Sequence, residues 1–214
     1  QADPNKVLRV TLRSAETGFD PQASSDLYSG YVNRAIFEPL FAYDYRARPH
    51  KIVPNTAAAL PQASKDGLEW TIRMKPGIYF ADDPAFKGKK RELTAADDVY
   101  SWKRTLDPRM RSPHLDAFDG QIVGMDAVLA KAKVTGKLDY DAPVEGLVAV
   151  DRYTIRIKLN YPWWDLVPDL TSAVTAAVAR EVVEAYGDGS GWVMANPVGT
   201  GAYRLVEWRR AQKI

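Results

Sequence analysis

Between Asp66-Gly67 and Pro76-Gly77, eight residues alternate without a break: Leu68, Trp70, Ile72 and Met74 against Glu69, Thr71, Arg73 and Lys75. A period of two puts the first set on one face of a strand and the second on the other. Asp66-Gly67 is a hairpin-type turn, so Leu60 to Ser64 is the expected partner strand. Pro76-Gly77 ends the run, and Ile78-Tyr79-Phe80 is expected to begin another short strand. Arg152 to Lys158 repeats the pattern, with Tyr153, Ile155, Ile157 and Leu159 on one side. Its Tyr-Thr-Ile-Arg-Ile-Lys echoes Trp-Thr-Ile-Arg-Met-Lys at Trp70 to Lys75. The echo does not extend further, so it reads as shared strand grammar rather than a repeat. Leu8, Val10 and Leu12 alternate with Arg9, Thr11 and Arg13 as a half-buried strand, and Tyr203, Leu205 and Trp208 form another strand-like run.

Helices fill the intervals. After a turn at Gly18, Asp20 and Pro21, a helix is expected from Ser24, capped by Ser24 or Ser25, with Asp26 in its first turn. Leu27, Tyr31 and Ala35 share one face of it. It should end near Phe37, because Pro39 disfavours helical backbone at Glu38. Thr94-Ala95-Ala96-Asp97 is a capping-box pattern. Val99, Trp102 and Leu106 make the apolar stripe that follows, and Asp107-Pro108 stops it. Asp126 to Lys133, Pro162 to Leu170 and Arg180 to Tyr186 read as further helices. Mixed strands and helices in this order predict an α/β, or α+β, architecture. Turn-rich stretches at Tyr43 to Asn55 and Lys137 to Ala142 mark where the chain would enter and leave a subdomain.

Composition removes several function classes. The 214 residues carry 29 Lys plus Arg and 27 Asp plus Glu, a net charge of +2, so there is no basic footprint for nucleic acid. The run Lys87, Lys89, Lys90, Arg91 has no aromatic or helical pattern and reads as a solvated loop. No uncharged stretch is long enough to span a bilayer, so direct membrane insertion is not expected. There is no cysteine, hence no disulfide, thiolate metal site or cysteine nucleophile. The opening Gln1-Ala2-Asp3-Pro4 has neither a charged n-region nor an apolar h-region, and any export signal is expected to have been removed.

Enzyme templates mostly fail. The two histidines, His50 and His114, lack metal-ligand spacing, and no metal or cofactor is expected. Gly187-Asp188-Gly189-Ser190-Gly191 follows a helix rather than preceding one, so it is a loop and not a phosphate cradle. Gly199-Thr200-Gly201 lacks the third glycine of a dinucleotide site. Asp82-Asp83 and Asp97-Asp98 are adjacent pairs whose side chains point apart. Trp163-Trp164 reads as one core residue with an exposed neighbour. By elimination, binding is favoured over catalysis. A hydrolase using Asp82, Asp83 or Glu92 and a non-catalytic interaction module remain as alternatives.

The motif order resembles the bacterial extracellular solute-binding proteins of family 5, the peptide-binding subunits of ABC importers. The residues that carry the resemblance begin with Asp20-Pro21 and Ile36-Phe37-Glu38-Pro39-Leu40-Phe41. The longest blocks are Asp66 to Gly77, with Phe80 after it, and Leu93 to Ser101, with Lys103-Arg104 and Asp107-Pro108. Ser112-Pro113, Gly124-Met125-Asp126-Ala127 and Val150-Asp151 before Tyr153-Thr154 follow. Asn196-Pro197-Val198-Gly199-Thr200-Gly201-Ala202-Tyr203, leading to Glu207-Trp208, completes the set. Two departures, Asp82-Asp83-Pro84-Ala85-Phe86 for the usual Asp-Gly-Thr-Pro-Phe and Ala202 for the usual Pro, lie in turns.

The resemblance implies a type II periplasmic-binding-protein-like fold of two lobes that close on a solute by hinge motion. Family members are much longer, so residues 1–214 are expected to be an N-terminal fragment without the second lobe and without measurable peptide affinity of its own. Residues 1–43 and 143–214 would form the first lobe, and 44–142 the inserted subdomain. The implied function is capture of di- and oligopeptides in the periplasm by a monomer that delivers them to the membrane permease subunits. Nickel complexes, opines, haem and oligosaccharides are alternative cargoes within the family. In relatives the segment after Asp20-Pro21 lines the cleft, which implicates Ser24, Ser25, Asp26 and Leu27. The position after Ser112-Pro113 faces the ligand, and here it is His114. Plain helix capping for Ser24 and Ser25, and an exposed loop for His114, are the competing readings.

Overall fold

The computed structural model describes residues 6–118, 120–187 and 193–214. Helix α1 (Leu27–Ile36) leads into a two-stranded hairpin, β1 (Phe41–Tyr43) and β2 (Ile52–Pro54). Strands β3 (Gln62–Ala63) and β4 (Glu69–Arg73), helices α2 (Ala95–Arg104) and α3 (Met125–Thr135), and strands β5 (Leu147–Asp151) and β6 (Thr154–Lys158) follow. Helices α4 (Leu166–Asp169) and α5 (Arg180–Tyr186) complete the regular elements.

The central sheet runs β3-β4-β6-β5, and every neighbouring pair is antiparallel. Trp70 lies opposite Ile157 and Ile72 opposite Ile155, so the two echoing segments are adjacent strands. That gives the echo its physical reason. Both strands put apolar residues on one shared buried face and polar residues on the other, and the cross-strand pairs pack only if the patterns match. Ile72, Ile155 and Ile157 are completely buried. Helix α2 packs on β5 and β6. Trp102, in the last turn of α2, is completely buried, donates its indole N–H to Thr175 O at 2.8 Å, and stacks on Phe118. The sheet takes β3 and β4 from the stretch 44–142 and β5 and β6 from 143–214.

The capping box at α2 forms as its residues dictate. Thr94 N and Oγ1 each donate to Asp97 Oδ2 at 2.8 Å, and Asp97 also receives the Arg91 guanidinium at 2.6 Å. Asp97→Ala is expected to lower stability by about 2 kcal/mol, the cap plus a charge-assisted contact, read as a shifted urea midpoint. At the next position, Asp98 is buried and its Oδ2 has no hydrogen-bond partner. Burial, and then the neighbouring Asp97 charge, push its carboxyl well above the ordinary range.

On the surface, Glu92 accepts from Arg152 Nη2 at 2.7 Å, Gly77 N at 2.7 Å and Tyr153 OH at 2.9 Å. These hydrogen bonds, that of Arg152 foremost, hold its carboxyl down at about 2. A depressed carboxylate contributes above its ordinary value near 4.5 and loses that contribution as pH falls through about 2. A carboxyl-carbon NMR titration should place Glu92 near the lower value, and Arg152→Ala should move the midpoint upward.

Several expectations are corrected. Leu8 to Arg13 and Tyr203 to Trp208 join no ladder among the described residues. Leu8 is 81% exposed and Val206 86%. Alternation sets the two sides of a strand, but a strand also needs a partner strand, and neither segment pairs with one among the described residues; Tyr203 N donates instead to Ala35 O at 3.2 Å, at the end of α1. Val10, Leu12, Tyr203 and Val206 instead border, with Tyr31, an open groove of about 620 Å³. Ile78 to Phe80 is reduced to one bridge, Tyr79 to Glu92. Pro162 to Leu170 is helical only over α4, where Pro168 allows a single turn and the Trp163 indole N–H is held on Asp169. Trp163 meets Phe118 edge-on while Trp164 is 81% exposed. Helix α1 starts at Leu27, and its cap is Asp26, not Ser24 or Ser25. The face carrying Leu27 and Tyr31 points outward, and Ser29, Asn33 and Ile36 are the buried side. Residues 1–4 and 188–191, which bear on the export signal and the glycine-rich loop, lie outside the described residues.

Candidate functional site

The segment from Asp20 to Asp26 is held by a buried polar network. Asp20 and Arg104 are both fully buried. Arg104 donates from Nη2 to Asp20 Oδ2 at 2.6 Å and from Nη1 to Asp20 Oδ1 at 3.2 Å, and Nη1 also reaches Gln22 Oε1. Asp20 further accepts from Gln22 N at 3.1 Å and Val193 N at 3.0 Å. Burial acts against the Arg104 charge, but the adjoining Asp20 carboxylate outweighs it and keeps the guanidinium above its ordinary value. The Gln22 amide then donates to Val174 O at 2.8 Å and Ala176 O at 3.0 Å. One short stretch of loop is thereby tied to α2 and to the chain around Ala173–Thr175.

The expected site residues fall into two groups around this bracket. Ser24 is buried: its hydroxyl donates to Asp20 O at 2.9 Å and accepts from Asn33 Nδ2 at 2.8 Å. Asp26 accepts from Tyr28 N at 3.1 Å, Ser29 N at 2.8 Å and Thr17 Oγ1 at 2.5 Å. Burial opposes its charge, and the Ser29 and Thr17 hydrogen bonds prevail and hold its carboxyl below the usual range. Both side chains are used inside the fold. Ser25 is exposed, as is Leu27 at 58%.

His114 is brought to the same place. Ser112 Oγ donates to Gln22 O at 2.5 Å and accepts from His114 N at 3.1 Å, which sets the turn. His114 Nε2 lies 2.9 Å from Ser24 O. A carbonyl only accepts, so Nε2 carries a proton, and in the neutral ring Nδ1 is then the acceptor on this half-buried side chain. His114 thus lies against the backbone of Ser24; Ser25 and Leu27 carry the exposed side chains that follow, and the Tyr28–Tyr31 edge-to-face pair comes next on α1. These groups can hold a backbone or hydroxyl donor at Nδ1 and apolar groups on Leu27 and the rings. Among the described residues no serine or threonine hydroxyl is hydrogen-bonded to the His114 ring. Among the described residues no group of three His, Asp or Glu is placed to hold a metal, and no helix is long and apolar enough to cross a membrane.

Sequence reasoning missed Arg104, Gln22, Asn33 and Ser112 as the parts that hold these residues. The one signal available was an arginine two residues after the central tryptophan of an apolar stripe, where a charge requires a buried partner. Gly199-Thr200-Gly201 packs at the opposite, C-terminal end of α1. Gly201 N donates to Ile36 O at 2.8 Å, and the strip lies flat on the end of α1.

Residues 51–214 match the family description "Bacterial extracellular solute-binding proteins, family 5 Middle". The chain belongs to that family of solute-binding proteins. It is 28% identical to the periplasmic oligopeptide-binding protein OppA of Escherichia coli K12, over 91% of this chain and 32% of the relative. The glutathione-binding protein GsiB of Pectobacterium atrosepticum is 26% identical over 96% of this chain and 33% of its own length. The structure of the Escherichia coli murein tripeptide binding protein MppA superposes with a TM-score of 0.71 at 26% identity, covering 92% of this chain and 35% of MppA. The chain spans about a third of the length of the relatives it matches.

Proposed function

We propose that this chain supplies one wall of the solute cleft of a periplasmic binding protein that captures short peptides and hands them to an ABC permease. The observation that carries the reading is the bracket at Asp20, Gln22 and Arg104, which fixes the loop before α1 and brings His114 to 2.9 Å from Ser24 O. Relatives named for oligopeptides, a murein tripeptide and glutathione all bind peptide or peptide-like solutes by their names, which supports that cargo class. An extended peptide offers backbone N–H groups to an acceptor such as His114 Nδ1, and side chains to Leu27 and the tyrosines.

The role is binding without catalysis, by a monomer, with no cofactor and no nucleic acid. Residues 1–43 with 143–214 are the first lobe and 44–142 the inserted part. Because β4 and β6 pair over five positions, from Glu69–Lys158 to Arg73–Thr154, the two parts move as one body during closure.

The test is native mass spectrometry of the protein expressed from its complete reading frame and purified without denaturation. Peptides of a few residues should be released intact. Release of a nickel complex, an opine, haem or an oligosaccharide would overturn the cargo, and hydrolysis of added peptides would overturn the non-catalytic role.

A further inference from the structure

The β1–β2 hairpin ends in a loop, Asp44 to Lys51, that the cleft does not use. It carries Arg46, Arg48, Pro49, His50 and Lys51 exposed to solvent, and Tyr45 is 78% exposed. The stalk beneath it is firm: Phe41 is completely buried and pairs with Pro54, and Asp44 N donates to Lys51 O at 2.8 Å.

The charges on this tip are one-sided. Among the described residues, Arg46, Arg48 and Lys51 have no carboxylate within ion-pair distance. The one acid of the loop, Asp44, directs Oδ1 to Arg46 N at 2.9 Å and so serves the turn itself. The guanidiniums are also pre-set. Arg46 lies over the Tyr45 ring at 5.5 Å, and Arg48 Nη1 donates to Tyr45 O at 3.1 Å and Ala47 O at 2.7 Å. Tyr43 meets the His50 ring edge-on. An arginine held before binding loses less side-chain entropy on binding, and its planar fork fits carboxylates in pairs.

The basic run at Lys87 to Arg91 makes the contrast. There Lys90 is paired with Asp82 at 2.7 Å and Arg91 with Asp97 and Glu181, so the fold answers much of that charge itself.

We propose that the Asp44–Lys51 tip is a docking surface for an acidic polypeptide surface, with Arg46, Arg48 and Lys51 meeting its carboxylates and Tyr45 packing at the centre. Arginine and tyrosine on a firm loop are the residue types that dominate protein–protein contacts. A lipid surface fits less well. No Leu, Ile, Val, Phe or Trp lies between Asp44 and Lys51 to enter the bilayer, and three cations alone give weak, reversible attachment.

The test is fluorescence anisotropy of a labelled oligo-glutamate peptide titrated with the full chain at moderate salt. The variant Arg46→Gln/Arg48→Gln/Lys51→Gln should weaken binding about tenfold, and Tyr45→Ala about threefold. The matched control Lys87→Gln/Lys89→Gln/Lys90→Gln should change it less than about twofold. Equal losses in both triple variants would overturn the proposal, since charge count alone would then explain them. It would also be overturned if the chain bound phosphatidylglycerol vesicles more tightly than the peptide, with that binding lost in the hairpin variant. Should the hairpin triple lose structure by circular dichroism, Lys51→Gln alone, which breaks no hydrogen bond or ion pair of the fold, is read in its place, with about a twofold loss expected.

Discussion

Arg104→Ala should lower the stability of the chain by about 3–5 kcal/mol, a large part of what a domain of this size has. The reason is what it leaves behind. Asp20 is completely buried, and without the guanidinium its carboxylate keeps, among the described residues, only the amides of Gln22 and Val193. Gln22 Oε1 loses the same donor. A charge stranded in the interior costs more than the original pair contributed. The double variant Asp20→Asn/Arg104→Met, which removes both charges, should therefore recover part of the loss. Urea denaturation followed by tryptophan fluorescence reads both variants. A single-variant loss below about 1 kcal/mol would mean that the pair is not the brace described here.

The second large effect is expected at Gly199. A Cβ placed there would lie 2.0 Å from Ile36 O, 2.7 Å from Ile36 C and 3.0 Å from Phe37 Cδ1. The first two atoms are backbone at the end of α1, so no side-chain rotation relieves the clash. Gly199→Ala should cost more than about 3 kcal/mol or prevent folding, because the 199–201 strip must lift off the helix. Gly30 is the internal control. It lies inside α1 with nothing within 4 Å of the added carbon, so Gly30→Ala should stabilise by about 0.5–1 kcal/mol. Opposite signs for the same chemical change at two glycines isolate close approach from composition. Thermal melts of the two variants are sufficient to see it.

What could be read before the structure follows from how locally each feature is determined. The strand at Glu69–Arg73 and its echo at Thr154–Lys158 were legible because alternation and turn residues act within a few positions. The start of α2 was legible because a capping box closes within one turn. Leu8 to Arg13 misled because its alternation is real but its pairing depends on a neighbour the segment does not contain. The cap of α1 was displaced because three candidate oxygens, on Ser24, Ser25 and Asp26, compete. The bonds of Ser24 to Asp20 O and Asn33 take its hydroxyl and leave the helix end to Asp26.

The site was legible in part for the same reason. The resemblance singled out Ser24 and His114 separately, and the contact of His114 Nε2 with Ser24 O at 2.9 Å, across 90 positions, was not among its implications. The bracket beneath them could not be read locally, because Arg104 answers Asp20 across 84 positions. Gly199-Thr200-Gly201 resembled a fragment of a nucleotide motif, and only the packing of that strip on Ile36 shows why two glycines stand there.

The most direct test of the central claim is hydrogen exchange read by mass spectrometry on the protein expressed from its complete reading frame, with and without the peptide it releases. If the loop before α1 and the turn at His114 form a wall of the cleft, added protection within this chain should concentrate in residues 22–31 and 112–115. Protection elsewhere, with no change in those two segments, would contradict the account.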